Sequence, residues 1–80
     1  MSDIKKLERR AERIAVNLAR SHIEALRQIW IEYHALRRGD KNAAEQAKHR
    51  RLDAEAEIQR LEAEFNHVYA DLSLLFATLK

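Results

Sequence analysis

Eighty residues with a formal net charge of +2 make one small domain at most, and a core of that size is marginal unless the chain associates. The chain has no cysteine, which excludes a disulfide framework and thiolate chemistry. It also has no apolar run near the ~20 residues that span a bilayer and no apolar signal-peptide core at its N-terminus. We therefore expect one domain over residues 1–80, in the cytoplasm and not in a membrane.

The first predicted helix covers about residues 3–38, where apolar residues recur at steps of three and four without glycine or proline. The apolar line expected to form its core is Ile4, Leu7, Ala11, Ile14 or Ala15, Leu18, Leu26, Ile29, Tyr33 and Leu36. Between Leu18 and Leu26 both steps become four, with His22 between them, which predicts a local unwinding of coiled-coil geometry. His22 is then a buried or half-buried polar residue, or else a register or pH-sensitive element.

A second apolar line runs beside the first. Val16, Ile23 and Trp30 are each seven residues apart, and Ile31 follows Trp30. One seam between two helices does not bury both lines. This pattern indicates a further contact surface.

The only glycine, Gly39, marks the predicted turn over residues 39–41. Glycine can adopt the left-handed conformation that closes a helix, and Arg37 and Arg38 complement the helix dipole just before it. Asn42 with Glu45 resembles a capping box for the next helix, with Asp40 as the competing N-cap. The alternative is one continuous helix with a tolerated glycine.

The second predicted helix covers about residues 42–79 and has a strict heptad pattern. Position a holds Ala44, Arg51, Ile58, Phe65, Leu72 and Leu79, and position d holds Ala47, Ala54, Leu61, Val68 and Leu75. Arg51 either extends its charge to solvent or marks the register. Folding at Gly39 pairs large residues with small ones near the turn: Leu36 with Ala44, Tyr33 with Ala47, and Leu26 with Ala54. At the open end it pairs Leu18 with Leu61, Ala15 with Phe65, Ala11 with Val68, and Leu7 with Leu72.

The predicted fold is all-α, an antiparallel two-helix hairpin that dimerises into a four-helix bundle. Tyr69 and Phe76 widen the apolar face of the second helix beyond what one helix covers. The predicted protein interface is Val16, Ile23, Trp30, Ile31, Tyr69 and Phe76. The alternative is a monomer whose apolar strip binds another protein.

Catalysis and cofactor binding have little support, because the chain lacks cysteine and a Gly-rich phosphate loop. Glu64 and His67 have the Glu-x-x-His spacing of di-iron helix bundles, but no second such motif accompanies them. We therefore expect no catalytic residue and no metal site.

Charge is unevenly distributed along the chain. Residues 1–20 are net +3, residues 37–51 net +4 and residues 52–72 net −5. The basic N-terminal third should therefore lie beside the acidic part of the second helix. The turn end carries the candidate nucleic-acid patch: Arg37, Arg38, Lys41, Lys48, Arg50 and Arg51.

This pattern resembles two families over the whole length of the chain, although no functional residue can be matched to either. One is the Rop family of plasmid RNA-regulatory proteins, helical hairpins that dimerise into a four-helix bundle. The other is the small helical-hairpin chaperones of type III secretion, which hold a needle subunit with an apolar face. The expected function is a non-enzymatic protein-interaction module, namely a regulator, inhibitor, adaptor or chaperone-like subunit. The alternative is a Rop-like regulator that binds nucleic acid with the basic turn.

Overall fold

The computed structural model describes residues 2–78, with side chains from Asp3, and consists of two long helices joined by a tight turn. Helix α1 spans Ser2–Arg38 and helix α2 spans Lys41–Thr78. The two helices pack against each other along their length, so the predicted all-α antiparallel hairpin is confirmed. The predicted core residue Leu79 lies outside the described residues.

Gly39 closes α1 in the left-handed conformation, with φ of +74°. Its amide donates to the Leu36 carbonyl at 3.1 Å, and the Asp40 amide donates to the Ala35 carbonyl at 2.9 Å. This pair of hydrogen bonds is the Schellman motif, which satisfies the last carbonyls of a helix. The glycine turn was correctly predicted.

Asp40, not Asn42, is the N-cap of α2. The Asp40 Oδ1 atom accepts a hydrogen bond from the Ala43 amide at 3.1 Å, and its carbonyl accepts from Ala44 at 3.1 Å. Asn42 already lies inside the first turn of α2, so the predicted cap was wrong. Because Asp40 directly follows the Schellman motif, its carboxylate reaches the first free amides before Asn42 can.

The heptad register of α2 is confirmed. The buried residues are Ala44, Ala47, Ala54, Ile58, Leu61 and Val68, all at predicted a or d positions. Arg51, Phe65, Leu72 and Leu75 complete the same face and are half-buried.

The core line of α1 differs from the prediction beyond Leu18. It continues without a change of step through Ser21, Ala25, Gln28, Glu32 and Ala35, all buried or half-buried. The residues predicted for the core are instead exposed: His22, Leu26, Ile29, Tyr33 and Leu36. The predicted unwinding at His22 was therefore wrong, and His22 is a surface residue.

The half of the hairpin near the turn consequently buries small side chains against small side chains. Ala25 and Ala35 are buried on α1, and Ala25 packs in one cluster with Ala54. Leu36, Tyr33 and Leu26, which were predicted to pack on Ala44, Ala47 and Ala54, are instead more than half exposed. Methyl groups on both sides let two helices approach closely without leaving voids. This arrangement leaves the large α1 side chains on the surface.

The half near the open end holds the large side chains. Ile14, Leu61 and Val68 are its buried centre. Leu7, Ala11, Leu18, Phe65 and Leu72 pack against them. All residues predicted to pair in this half belong to this cluster except the exposed Ala15, whose place is taken by Ile14.

The hairpin is a thin rod that measures 61 × 14 × 14 Å between Cα atoms. Its radius of gyration is 17.9 Å, whereas a compact chain of this length would have about 12 Å. Its accessible surface is 6341 Å², against about 5,000 Å² for a compact protein of this mass. The rod therefore leaves more of its surface in water than a compact chain of the same mass would.

Candidate interaction surfaces

The first exposed apolar surface, here called the outer line, lies on the side of α1 that faces away from α2. It consists of Val16, Ile23 and Trp30, with exposed fractions of 50%, 57% and 65%. Each is two residues beyond a core position, which places it opposite the seam. The Trp30 ring packs against that of His34, with ring centroids 4.0 Å apart and the ring planes tilted by 50°.

The second surface, here called the lateral face, lies along one flank of the hairpin. It is the flank on which His22 Nε2 approaches Glu62 Oε1 at 4.0 Å. Its exposed apolar residues are Leu26, Ile29, Tyr33 and Leu36 on α1 and Leu52, Tyr69 and Phe76 on α2. The α1 group lies near the turn, and the aromatic pair lies near the open end.

The six residues of the predicted interface do not share one surface. Val16, Ile23 and Trp30 form the outer line, whereas Tyr69 and Phe76 belong to the lateral face. Ile31 is half-buried on the opposite flank, the one on which Arg10 meets Glu64.

Sequence reasoning missed Leu26, Ile29 and Leu36 as surface residues, because it had placed them in the core. The signal that could have found them is Arg51. A half-buried arginine at a core position is favoured by a carboxylate on the facing helix, and the register that turns Glu32 inward supplies one.

A polar layer crosses the seam at Arg51. Its guanidinium donates to Glu32 Oε1 at 3.3 Å and to Glu55 Oε1 at 3.0 Å. The hydrogen bond to Glu55 is the main cause of the raised pKa of Arg51, and partial desolvation opposes it. Arg51 thus links the two helices.

Gln28 lies one turn before Glu32 on α1 and is buried, with an exposed fraction of 4%. Its Nε2 donates to Glu24 Oε1 at 2.7 Å. Among the described residues, no donor reaches its Oε1 atom. A buried acceptor of this kind costs stability.

The candidate nucleic-acid patch is only partly available. Arg38, Lys41, Lys48 and Arg50 are exposed, but Arg51 is engaged in the seam. Arg37 Nη1 donates to the Tyr33 hydroxyl at 3.3 Å. Of the six predicted basic residues, all but Arg51 are therefore exposed.

The acidic part of α2 is held by local ion pairs. Arg10 reaches Glu64 across the helices at 3.3 Å, in line with the expected charge complementarity. Arg60 donates to Glu57 at 3.1 Å, and that hydrogen bond lowers the pKa of Glu57. His67 Nε2 lies 3.9 Å from Asp71 Oδ2, and Arg60 Nη1 lies 3.4 Å from Glu64 Oε2.

Within residues 2–78, no three His, Cys, Asp or Glu side chains converge as a metal site would require.

Neither helix in the described part of the chain combines the length and apolarity needed to cross a membrane. No protein-family model, curated protein or solved structure matches this chain. A function for the hairpin is therefore inferred from its two exposed apolar surfaces, the outer line and the lateral face.

Proposed function

We propose that the hairpin is a non-enzymatic interaction module that binds another protein through the outer line. The observation that supports this most is the exposure of Trp30 on the side of α1 that α2 cannot cover. Burying apolar surface contributes about 25 cal/mol per Å². Three large exposed apolar side chains in one row therefore provide a strong driving force for association with a partner.

The heptad spacing of Val16, Ile23 and Trp30 fits a target that presents a helix of its own. Arg13, Arg20 and Arg27 follow the outer line at the same spacing along one edge, and all three are exposed. A target helix with an apolar stripe and an acidic flank would match both the outer line and the row of arginines beside it. Such a role suits a regulator, inhibitor, adaptor or chaperone-like subunit.

A capture experiment with matched variants tests this function. The hairpin is immobilised and exposed to lysate from its source cells, and bound proteins are quantified by mass spectrometry. We expect Trp30→Asp to abolish capture of the target, because a charge replaces the apolar anchor. Leu74→Asp is the control, since Leu74 is 66% exposed but lies on neither surface. Circular dichroism should show the same helicity for both variants.

If the Trp30→Asp variant still captures the target, the outer line is not the surface that binds it. The nucleic-acid alternative predicts a different result, in which RNA or DNA is retained and released steeply as salt rises. Arg38→Ala with Lys41→Ala should then abolish retention, while Trp30→Asp should not.

A further inference from the structure

Most of the exposed apolar surface of the hairpin lies on α1. Of the eleven large apolar side chains that are exposed in the described part of the chain, seven are on this helix. Six exposed positions, alternately three and four residues apart, form what is here called the back stripe: Val16, Ala19, Ile23, Leu26, Trp30 and Tyr33. The back stripe contains the whole outer line and has the spacing of a coiled-coil seam, but α2 packs on the other side of α1.

Charged residues continue the same spacing beyond both ends of the back stripe. Arg9 and Glu12 precede it, Arg37 and Asp40 follow it, and all four are exposed. The order of charges is therefore plus, minus, stripe, plus, minus. Read in the opposite direction, this order becomes minus, plus, stripe, minus, plus, so an antiparallel copy presents the opposite charge at every position.

We propose that the back stripe is covered by the back stripe of a second copy of this chain, with the two α1 helices antiparallel. A two-fold axis perpendicular to both helices, at residues 24–25 of each, produces this arrangement. Each residue then lies level with the partner residue that is equally far beyond the axis, for example residue 16 with residue 33.

In this register the apolar side chains meet in pairs of complementary size. The pairs, each formed twice, are Trp30 with the partner's Ala19, Ile23 with the partner's Leu26, and Val16 with the partner's Tyr33. The largest side chain of the stripe thus packs against the smallest, which fills the contact without voids. At one edge, Ile29 lies beside the partner's His22 and Leu36 beside the partner's Ala15. All seven exposed large apolar side chains of α1 therefore take part.

Opposite charges meet at both ends of the contact. Glu12 lies level with the partner's Arg37, and Arg9 lies level with the partner's Asp40. The two-fold axis repeats both pairs, so four ion pairs frame the apolar centre. Such pairs contribute little affinity at an exposed rim but fix the register and the direction of the partner.

Other symmetric alignments of the two stripes create mismatches. A slide of one heptad in either direction puts Glu12 on the partner's Trp30 or Ala19 on the partner's Arg37. A parallel pair of α1 helices puts like residues together, so Glu12 meets its own copy and Arg37 does the same. Charges buried against apolar groups and like charges in contact both disfavour these alignments.

The contact is large enough for a dimer but small enough to be reversible. The paired segments, residues 9–40, are about 48 Å long and a helix is about 10 Å across, so each copy covers about 480 Å². The total of about 1,000 Å² is at the lower end of specific interfaces.

One edge of the contact opposes association. Arg20 of each copy lies beside the partner's Arg27 there, although Arg27 is also paired with Glu24 of its own helix at 3.2 Å. A target helix with an acidic flank replaces this repulsion by attraction, so it can displace the second copy from the outer line. This regulation of the docking row rests on the proposed function, whereas the dimer itself does not.

Sedimentation equilibrium with a charge exchange tests the register. Glu12→Arg or Arg37→Glu alone should raise the dimer dissociation constant about tenfold, because two ion pairs become two like-charge contacts. The double variant should restore it to within about twofold. The two positions are about 37 Å apart along one helix, so this rescue can come only from a contact between copies.

Glu45→Arg is the matched control, since it makes the same change of charge at an exposed site on α2 and should leave the dissociation constant unchanged. Circular dichroism should show equal helicity for all variants. A wild-type chain that sediments as a monomer at every concentration, or a double variant without rescue, would overturn the proposal.

The absence of cysteine makes cross-linking a second test. Val16→Cys and Tyr33→Cys are made as separate single variants, one with a tag, then mixed, refolded together and treated with a short bismaleimide. We expect a tagged–untagged covalent dimer from the mixture. Either variant alone should give little product, because its two copies of the new thiol are about 26 Å apart in the dimer. Leu74→Cys in place of Tyr33→Cys is the control and should not react with Val16→Cys. Cross-linking of Val16→Cys to itself would establish a parallel dimer and overturn the proposal.

The regulation is tested by target capture with tagged chain in solution, at a concentration where the wild type is mostly dimeric. Glu12→Arg weakens the dimer without changing the outer line, so it should capture at least about twice as much target as the wild type. The Glu12→Arg, Arg37→Glu double variant should return to the wild-type amount. Equal capture by Glu12→Arg and wild type would overturn the regulation. Capture by neither would refute the proposed function and the regulation together, while sedimentation and cross-linking decide the dimer independently.

Discussion

At the scale of single residues, one polar layer accompanies the observed register of the hairpin. Arg51 occupies a core position of α2 and pairs with Glu32, while Gln28 is buried one turn earlier on α1. Turning Leu26 or Ile29 inward would rotate Glu32 away and leave the Arg51 charge without its partner on α1. Arg51 would keep Glu55 on its own helix, so the contact with Glu32 adds to the preference for this register without deciding it.

Gln28→Leu should raise the free energy of unfolding by about 1 kcal/mol and the melting temperature by about 5 °C. Leucine fills a similar volume and removes the buried acceptor that no described residue satisfies. Glu24 keeps its contact with Arg27 at 3.2 Å. Thermal denaturation followed by circular dichroism measures the change. Gln46→Leu is the control at an exposed site and should move the melting temperature little; a destabilised Gln28→Leu variant would contradict this account.

At the scale of elements, α2 was predictable from the sequence and the second half of α1 was not. Along α2, one apolar line dominates and only Arg51 interrupts it, so periodicity alone gave its register. Along α1, two lines compete after Leu18, and the pattern favoured the line with larger side chains. The actual seam contains Ser21, Gln28 and Glu32, which periodicity does not recognise as core. Packing against the small residues of α2, not hydrophobicity within α1, decided the outcome.

The same distinction applies to the candidate surfaces. The outer line was predictable, because its spacing of seven made it a separate stripe. The lateral face was not, because it required knowledge of which flank the two helices share. The sequence predicts Tyr69 and Phe76 as excess apolar surface. Only the structure shows that they lie on the same flank as Leu36 and Ile29.

The N-terminus of α2 offers a matched pair of variants. Asp40→Ala should lower the free energy of unfolding by about 1 kcal/mol, because the Ala43 amide loses its acceptor. Asn42→Ala should change it by less than about 0.5 kcal/mol, since Asn42 lies within the helix and its replacement has good helix propensity. Chemical denaturation measures both. A larger loss for Asn42→Ala would mean that Asn42 is the cap in solution.

At the scale of the whole molecule, the hairpin is unevenly stabilised along its length. The open half buries Ile14, Leu61 and Val68, while the turn half buries mainly methyl groups and the polar layer. Because stabilisation scales with buried apolar area, the turn half should open locally at lower free energy.

Hydrogen exchange can detect this gradient. In dilute protein, amides around Ala35 and Ala47 should exchange about tenfold faster than those around Ile14 and Val68. Uniform protection along the rod at low concentration would contradict this distribution of stability.

The position of the outer line has a consequence for valency. It lies on the side of α1 opposite α2, so any dimer that leaves this side free would display two identical docking rows. A target that is itself paired, or that repeats its docking segment, would then be held at both rows at once. Its release would slow far beyond what either row achieves alone. Such a dimer would act as a bridge between two molecules, whereas the antiparallel dimer of α1 covers both rows and must separate before either can bind.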